Sequence, residues 1–343
     1  MKKKCIFANS KNKSMQKRII ALLTVILTLT MVRISAQDAH FSQFYANPLY
    51  LNPAFAGSEI CPRISLSFRD QWPSIRNAYM TYSAAYDQHF DKLAGGIGVI
   101  FLGDRQANVL NQYQASFMYA FKLKVSKKFN MRLALQATYM NISLDWNKLT
   151  FPDMIDPKYG YVYDTKEQHP GNLSKHIFDV STGFIGYTDW LFFGLAVNHL
   201  TRPRTGFQSV SKLPVKWTAH VGGYFDLKRK SKKEHSFGDV AICPNIIYQH
   251  QHFANYFNYG FYLCFYPFTV GLSHRIDTQG QTDALLFVCG VQYDFIKVGY
   301  SYDITLAPNI ATMTGGAHEV SLQFLLPCPA KQRVVKDLKC PSF

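Results

Sequence analysis

After residue 36 the sequence has no long apolar run, and after residue 40 it has no apolar stripe at helical spacing. The first absence excludes a protein that crosses a membrane with helices, since each crossing needs about 20 consecutive apolar residues. The second argues against helical bundles and α/β domains. Charge is scarce as well: Asp, Glu, Lys and Arg make up 17% of the chain, against roughly 25% in an ordinary soluble protein. No Cys-x-x-Cys pair is present, so no zinc site is expected. There is no Gly-x-Ser-x-Gly, no His-Glu-x-x-His and no phosphate-binding loop, and no Ser/His pair is set to converge. No catalytic residue, cofactor or metal is therefore expected, and the chain does not read as an enzyme.

Two fragments resemble sites and do not read as such. Gly95-Gly96-Ile97-Gly98 lies inside a strand pattern with no helix after it, so its glycines let a sheet wall bend or pack closely. His250-Gln251-His252 falls at a strand end beside a loop and reads as a solvated turn. The formal charge of +15 also misleads. Eight of the 37 Lys and Arg lie in the first 36 residues, which hold no acid, leaving about +7 for the rest. With no basic helix and no RNA-binding motif, nucleic acid is not an expected partner.

What the chain does have is a period of two. In Arg63-Ile64-Ser65-Leu66-Ser67-Phe68-Arg69, Ile64, Leu66 and Phe68 point one way and the polar residues the other. The pattern recurs at 61–70, 77–90, 94–104, 108–123, 128–145, 175–188, 190–200, 214–227, 237–250, 255–266, 268–276, 282–293, 295–305 and 316–326. Tight turns (Asp91-Lys92-Leu93, Asp189, Tyr266-Pro267, Asp294) alternate with longer connections (71–76, 146–174, 201–213, 306–315). The turns Lys124 to Lys127 and Lys228 to Lys233 are basic. Aromatic residues make up 15% of the chain and collect at strand ends, as at Tyr79, Tyr82, Tyr86, Phe90, Tyr113, Phe117, Tyr119, Phe121, Trp190, Phe192, Phe193 and the run Tyr256 to Phe268. An all-β, transmembrane antiparallel β-barrel of about 14 strands over residues 61–326 is expected. Its short turns would face the periplasm, its long loops the outside, and some of its aromatics the membrane interfaces.

Met15-Gln16-Lys17-Arg18 followed by the apolar run Ile19 to Val32 and by Ile34-Ser35-Ala36 reads as a signal peptide over residues 1–36. Cleavage near Ala36 would send the chain to the bacterial outer membrane, with outer-membrane lipid around it. Met15 is an alternative start. Residues 37–60 are aromatic and apolar but carry two Asn-Pro steps that break strand and helix. This segment is expected to plug the periplasmic opening or to pack against a partner. The loop after Asp145 holds Trp146, Phe151, Met154 and Ile155 among prolines, and reads as an ordered lid or a partner contact. Residues 327–343 form a short basic periplasmic C-terminal tail. Cys264 and Cys289 read as buried single thiols. Cys61, Cys328 and Cys340 flank the first and last strands and could tie the barrel's ends in an oxidising compartment.

A resemblance follows from longer blocks. The segment Gln37 to Gly57, Arg69-Asp70-Gln71-Trp72-Pro73, Ser83-Ala84-Ala85-Tyr86-Asp87, Ile100 to Arg105, Leu144 to Ile155, Gly194 to Thr201, and Leu213-Pro214 followed by Thr218-Ala219-His220 resemble the PorP/SprF family. These are outer-membrane proteins of Bacteroidetes type IX secretion and gliding motility. The resemblance implies a role without catalysis: support for export and surface attachment of large secreted adhesins. The implied partners are periplasmic ring and peptidoglycan-linked components of the machinery, and the cargo itself. The candidate contact residues are Phe41, Phe44, Tyr45 and Tyr50 in the N-terminal segment, Trp146, Phe151 and Met154 in the loop, and Lys228, Arg229, Lys230, Lys232 and Lys233 in the basic turn. The alternative is an outer-membrane transporter or porin for a small solute with a plugged lumen.

Overall fold

The computed structural model describes residues 38–59, 61–75, 78–169, 171–207, 211–228, 239–277, 282–306 and 311–328. Fourteen antiparallel strands close into one barrel. They are β1 (Arg63–Gln71), β2 (Tyr79–Phe90), β3 (Gly95–Gln106), β4 (Leu110–Lys124), β5 (Asn130–Leu144), β6 (Ser174–Tyr187) and β7 (Leu191–Asn198). The second half comprises β8 (Lys216–Gly223, prolonged by Phe225–Lys228), β9 (Val240–Gln251), β10 (Ala254–Phe265), β11 (Phe268–Asp277), β12 (Thr282–Tyr293), β13 (Ile296–Thr305) and β14 (Ala317–Leu325). Each pairs with its neighbours in sequence, and β1 pairs with β14 from Arg63↔Leu325 to Gln71↔Ala317. Among the described residues no helix is long and apolar enough to cross a membrane. With every strand paired on both sides, the wall leaves no backbone edge in hydrocarbon.

Alternation sorts the side chains, and the sorting is inverted relative to a soluble protein. On β5, Asn130, Arg132, Gln136 and Thr138 are buried in the lumen, while Leu133 and Leu135 lie on the outer face, Leu135 at 67% exposure. On β1, Arg63, Ser65, Ser67 and Arg69 point inward and Leu66 and Phe68 outward. An apolar exterior around a polar interior is what lipid outside and a lumen inside require.

One end of the barrel carries β1's start, β14's end and the tight connections 91–94, 125–129, 188–190, 266–267 and 294–295. The other end carries 145–173 and 199–215, along with two short connections at 107–109 and 252–253. Most of the expected girdle aromatics face outward, including Tyr82, Phe117, Trp190 and Phe193. Phe192 and Tyr262 do not. Their parity places them in the lumen, where each is about 1% exposed. At the tight-turn end a disulfide joins Cys61 to Cys328, with Cα atoms 4.6 Å apart, beside the β1–β14 seam. Cys243 is the fully buried thiol, facing the lumen, whereas Cys264 and Cys289 are only half buried. Residues 1–37, the rest of the basic turn after Lys228, and the tail beyond Cys328 lie outside the described residues.

Candidate functional site

The lumen is occupied by the chain's own residues 38–57. The two Asn-Pro steps do not merely interrupt structure here; each starts a turn. Pro48 opens a single helical turn, Pro48–Leu51, and Pro53 a 3-10 turn, Pro53–Phe55. Proline suits a first helical position because it has no N–H to leave unpaired. Asn52 caps the second turn, its Oδ1 accepting from the Ala54 N–H at 2.9 Å. The segment is thereby compact enough to fill a tube rather than join its wall.

The segment runs the length of the barrel, and lumenal side chains grip it at successive levels. At the long-loop rim, His199 lies just past β7, Lys216 opens β8 and Gln251 closes β9. All three converge on Asp38. Its carboxylate meets His199 Nε2 at 2.9 Å and Lys216 Nζ at 3.5 Å, and its backbone N–H donates to Gln251 Oε1 at 3.0 Å. His199 Nδ1 is held by Asp179 at 2.8 Å. Burial works against the charge on His199, but Asp38 and Asp179 outweigh it and push its pKa up to about 9. Burial likewise opposes the Asp38 charge, and the two cations overcome it, holding that carboxyl well below the usual range.

One level down, Glu319 accepts the N–H groups of Ser42 (2.7 Å) and Gln43 (3.1 Å). Arg69 bridges Glu319 (3.2 Å) and Asp303 (2.8 Å) and donates to Ser42 Oγ (2.7 Å). In the middle the contacts are apolar and aromatic. Tyr45 stands edge-on to Phe192 and Tyr262, with ring centres 5.8 and 6.1 Å apart, and Phe55 stacks on His220 at 5.4 Å. Asn52 Nδ2 donates to the Phe184 carbonyl at 3.0 Å. At the tight-turn end Asp87 accepts the Gly57 N–H at 2.8 Å and pairs with Arg63 at 2.9 Å, while Arg132 donates to the Ala56 carbonyl.

The wall is shaped to this segment. A Cβ on Gly96 would strike the Ala56 carbonyl and the Gly57 backbone, and one on Gly183 would strike Asn52 Oδ1 and come within 2.9 Å of Pro53 Cγ. The glycines near residue 95 thus permit close packing, and what they pack against is the plug. Between the plug and the wall from β3 to β8, toward the long-loop end, a small cavity of about 30 Å³ remains, lined by Gln112, Gln114, Gln136, Asn198 and Tyr50 among others.

The residues singled out from sequence fall at three places. Phe41, Phe44 and Tyr45 are buried inside the barrel at 3–5% exposure, and Tyr50 is half buried, its hydroxyl donating to the Ala39 carbonyl. They offer no surface to another protein while the segment is seated. The segment also reaches well beyond the tight-turn opening, because the lumenal wall supplies polar partners toward both ends and aromatic ones between them. Trp146, Phe151 and Met154 are half buried in the 145–173 loop at the opposite end, where Trp146 packs on Phe151 and His169 with ring centres 4.8 and 5.3 Å apart. That loop folds on itself through a two-residue hairpin, Ile155–Asp156 with Gly160–Tyr161. The Lys166 N–H holds the Asp153 carboxyl below its ordinary range, and the Lys158 and Tyr159 N–H groups do the same for Asp156. The loop's exposed face is Tyr159, Tyr161, Val162 and Tyr163. Lys228 is exposed at the tight-turn end; Arg229, Lys230, Lys232 and Lys233 lie outside the described residues.

Sequence reasoning missed the plug's anchors: Asp38, Ser42 and Gln43 on the segment, and Arg69, Asp87, Arg132, His199, Lys216, Gln251, Asp303 and Glu319 on the wall. A signal for some of them was present, since ionic residues recur on the polar phase of β1, β2, β13 and β14. Pairing them required the register, which sets Arg69 opposite Glu319 and Arg63 opposite Asp87.

The family profile described as type IX secretion system membrane protein PorP/SprF matches residues 34–324, plug and barrel together. The chain belongs to the PorP/SprF family. It is accordingly a membrane component of type IX secretion, and its barrel places it in an outer membrane. No curated protein sequence matches it. Among solved structures it is similar to the outer membrane protein Omp33 of Acinetobacter baumannii, at 10% identity over 79% of this chain and 100% of that one, with a TM-score of 0.41. It is also similar to a TodX mutant described as a monoaromatic hydrocarbon channel, at 9% identity over 80% and 92% with a TM-score of 0.43, and to the KdgM porin, at 8% over 77% and 99% with a TM-score of 0.37.

Proposed function

We propose that this PorP/SprF protein is a non-enzymatic, non-conducting docking barrel, which supports export and surface attachment of large secreted proteins by holding periplasmic machinery at one end and cargo at the other. The observation that carries this reading is the plug. A solute channel needs a lumen that admits its solute, whereas here residues 38–57 are bonded to the wall from rim to rim. A barrel occupied in this way serves as a membrane-embedded scaffold. The tight-turn end, with the exposed Lys228, is the periplasmic face by the usual disposition of short turns, and the 145–173 loop with its exposed tyrosines is the outer face. Aromatic side chains at a surface supply the large contact area that protein interfaces favour.

Two measurements test this. The purified barrel in a planar bilayer should show no steady single-channel conductance; a stable open level would favour the transport reading. In the native host, deletion should abolish display of large surface proteins while leaving their synthesis intact. Normal display in the deletion strain would reject the secretion role.

A further inference from the structure

The plug has a direction, and that direction constrains the chain's amino-terminal end. Gly57 sits at the tight-turn end, bonded to Asp87, and the chain passes from there through Cys61 into β1. Asp38 sits at the opposite rim. Its three wall partners, His199, Lys216 and Gln251, are all at strand ends bordering the 199–215 and 252–253 connections. The segment therefore climbs from the periplasmic mouth to the outer mouth as it is followed back toward its start. The described part of the segment thus ends, at Asp38, at the outer mouth.

We propose that the mature amino terminus of this protein is displayed at the cell surface, reached through the protein's own lumen, and that the leader has to be removed before the lumen is filled. A leader still attached would have to lie outside the outer rim, and a leader held at the inner membrane would keep residues 38–57 out of the barrel. Only a free end can be drawn up the lumen and locked by Asp38 between His199 and Lys216. The chain's own start then joins the 145–173 and 199–215 connections on the outer face, and a partner on that side meets them together. The inference uses the outer-membrane setting and the disposition of turns and loops, and it stands whether or not the barrel docks cargo.

The test is topological and uses the full-length protein in its native membrane. A short epitope placed between Gln37 and Asp38 should bind antibody on intact cells, whereas the same epitope after Phe343 should bind only once the outer membrane is permeabilised. Because an insertion beside Asp38 can unseat the plug, a second pair avoids it. Ala39→Cys lies at the outer rim, half exposed and bordering the small cavity there, and Lys127→Cys lies in the exposed 125–129 turn. A small membrane-impermeant maleimide should label the first on intact cells at least tenfold more than the second, and permeabilisation should equalise them. Labelling of Lys127→Cys but not Ala39→Cys on intact cells, or antibody access to the amino-terminal epitope only after permeabilisation, would overturn the proposal.

Discussion

Glu319 is the residue whose loss should most selectively unseat the plug. Its carboxylate accepts two backbone N–H groups, from Ser42 and Gln43, and one guanidinium N–H from Arg69. Hydrogen bonds to charged groups contribute about 1.5–3 kcal/mol each, but these three share one carboxylate and are not additive. A bounded figure comes from breaking a buried ion pair, about 3–5 kcal/mol, because the surviving charge is left without its partner. Here Arg69 keeps Asp303 at 2.8 Å, so Glu319→Ala should fall toward the lower end of that range. Glu319→Gln keeps an acceptor oxygen and the side-chain length, and should cost less. Nearly all of the loss falls on the plug, because the β14 ladder to β1 and β13 is backbone-bonded and unchanged. A loss of about 3 kcal/mol is roughly a 10²-fold rise in the opening equilibrium. Amide exchange of a peptide spanning residues 38–47 should accelerate by that factor in Glu319→Ala and by less in Glu319→Gln, while the barrel keeps its heat-modifiable mobility in gels. Exchange of that peptide within threefold of wild type in Glu319→Ala would refute the anchoring assigned to this carboxylate.

Further expectations concern the two ends, the wall and the seam. The His199 pKa is raised above its unfolded value, so the rim latch is at full strength below about pH 6.5 and weakens as pH rises through about 9; labelling of Ala39→Cys should rise over that window, and His199→Gln should remove the pH dependence. The Asp38 carboxyl is depressed, so its contribution is present above about pH 4 and is lost only in stronger acid. Gly183→Ala should displace Asn52 and weaken the plug by roughly 1–3 kcal/mol through overpacking, read as faster exchange over residues 47–57 at an unchanged barrel melting temperature. Cys61→Ser should lower the unfolding free energy measured by urea titration by less than the roughly 5 kcal/mol that closing so long a loop gives in the entropic limit, because β1 and β14 stay paired without it. The same variant should free the Cys328 thiol for alkylation.

How much could be read from sequence depended on how local the cause was. Alternation is local, so the strands at Arg63–Gln71 and Asn130–Leu144 lie within a few residues of their expected limits, and the tight turns at 91–94 and 294–295 fall where Asp91 and Asp294 mark them. Phe192 and Tyr262 could not be told from the girdle aromatics, because an aromatic residue suits both a lipid interface and a lumenal plug contact, and only parity along the strand separates the two. The pairing of Cys61 with Cys328 was open, with Cys340 an equal candidate, because it follows from barrel closure and not from spacing. The N-terminal segment was legible as an aromatic stretch that could be neither strand nor helix. Its course was not, since its anchors come from seven strands scattered between β1 and β14 and from the connection after β7.

Those anchors explain why the lumen carries so many ionic side chains in a chain otherwise poor in charge. A water-filled pore solvates its lining, so its charges need no partner of opposite sign at bonding distance. In this barrel Arg63, Arg69, Asp87, Asp303 and Glu319 are each 5% exposed or less, and unpaired they would be costly. Each has an ion-pair partner, and all but Arg63 bond directly to the plug backbone or to Ser42 Oγ, while Arg63 braces Asp87. Asp303 also accepts from Ser42 Oγ at 2.6 Å. Removing the plug would leave Glu319 without two of its donors and Asp87 without the Gly57 N–H, in a lumen whose wall glycines at 96 and 183 would face empty space. Wall and plug are thus complementary in charge as well as in shape, which is the relation of a structural core, and the faces left for other proteins are the two ends.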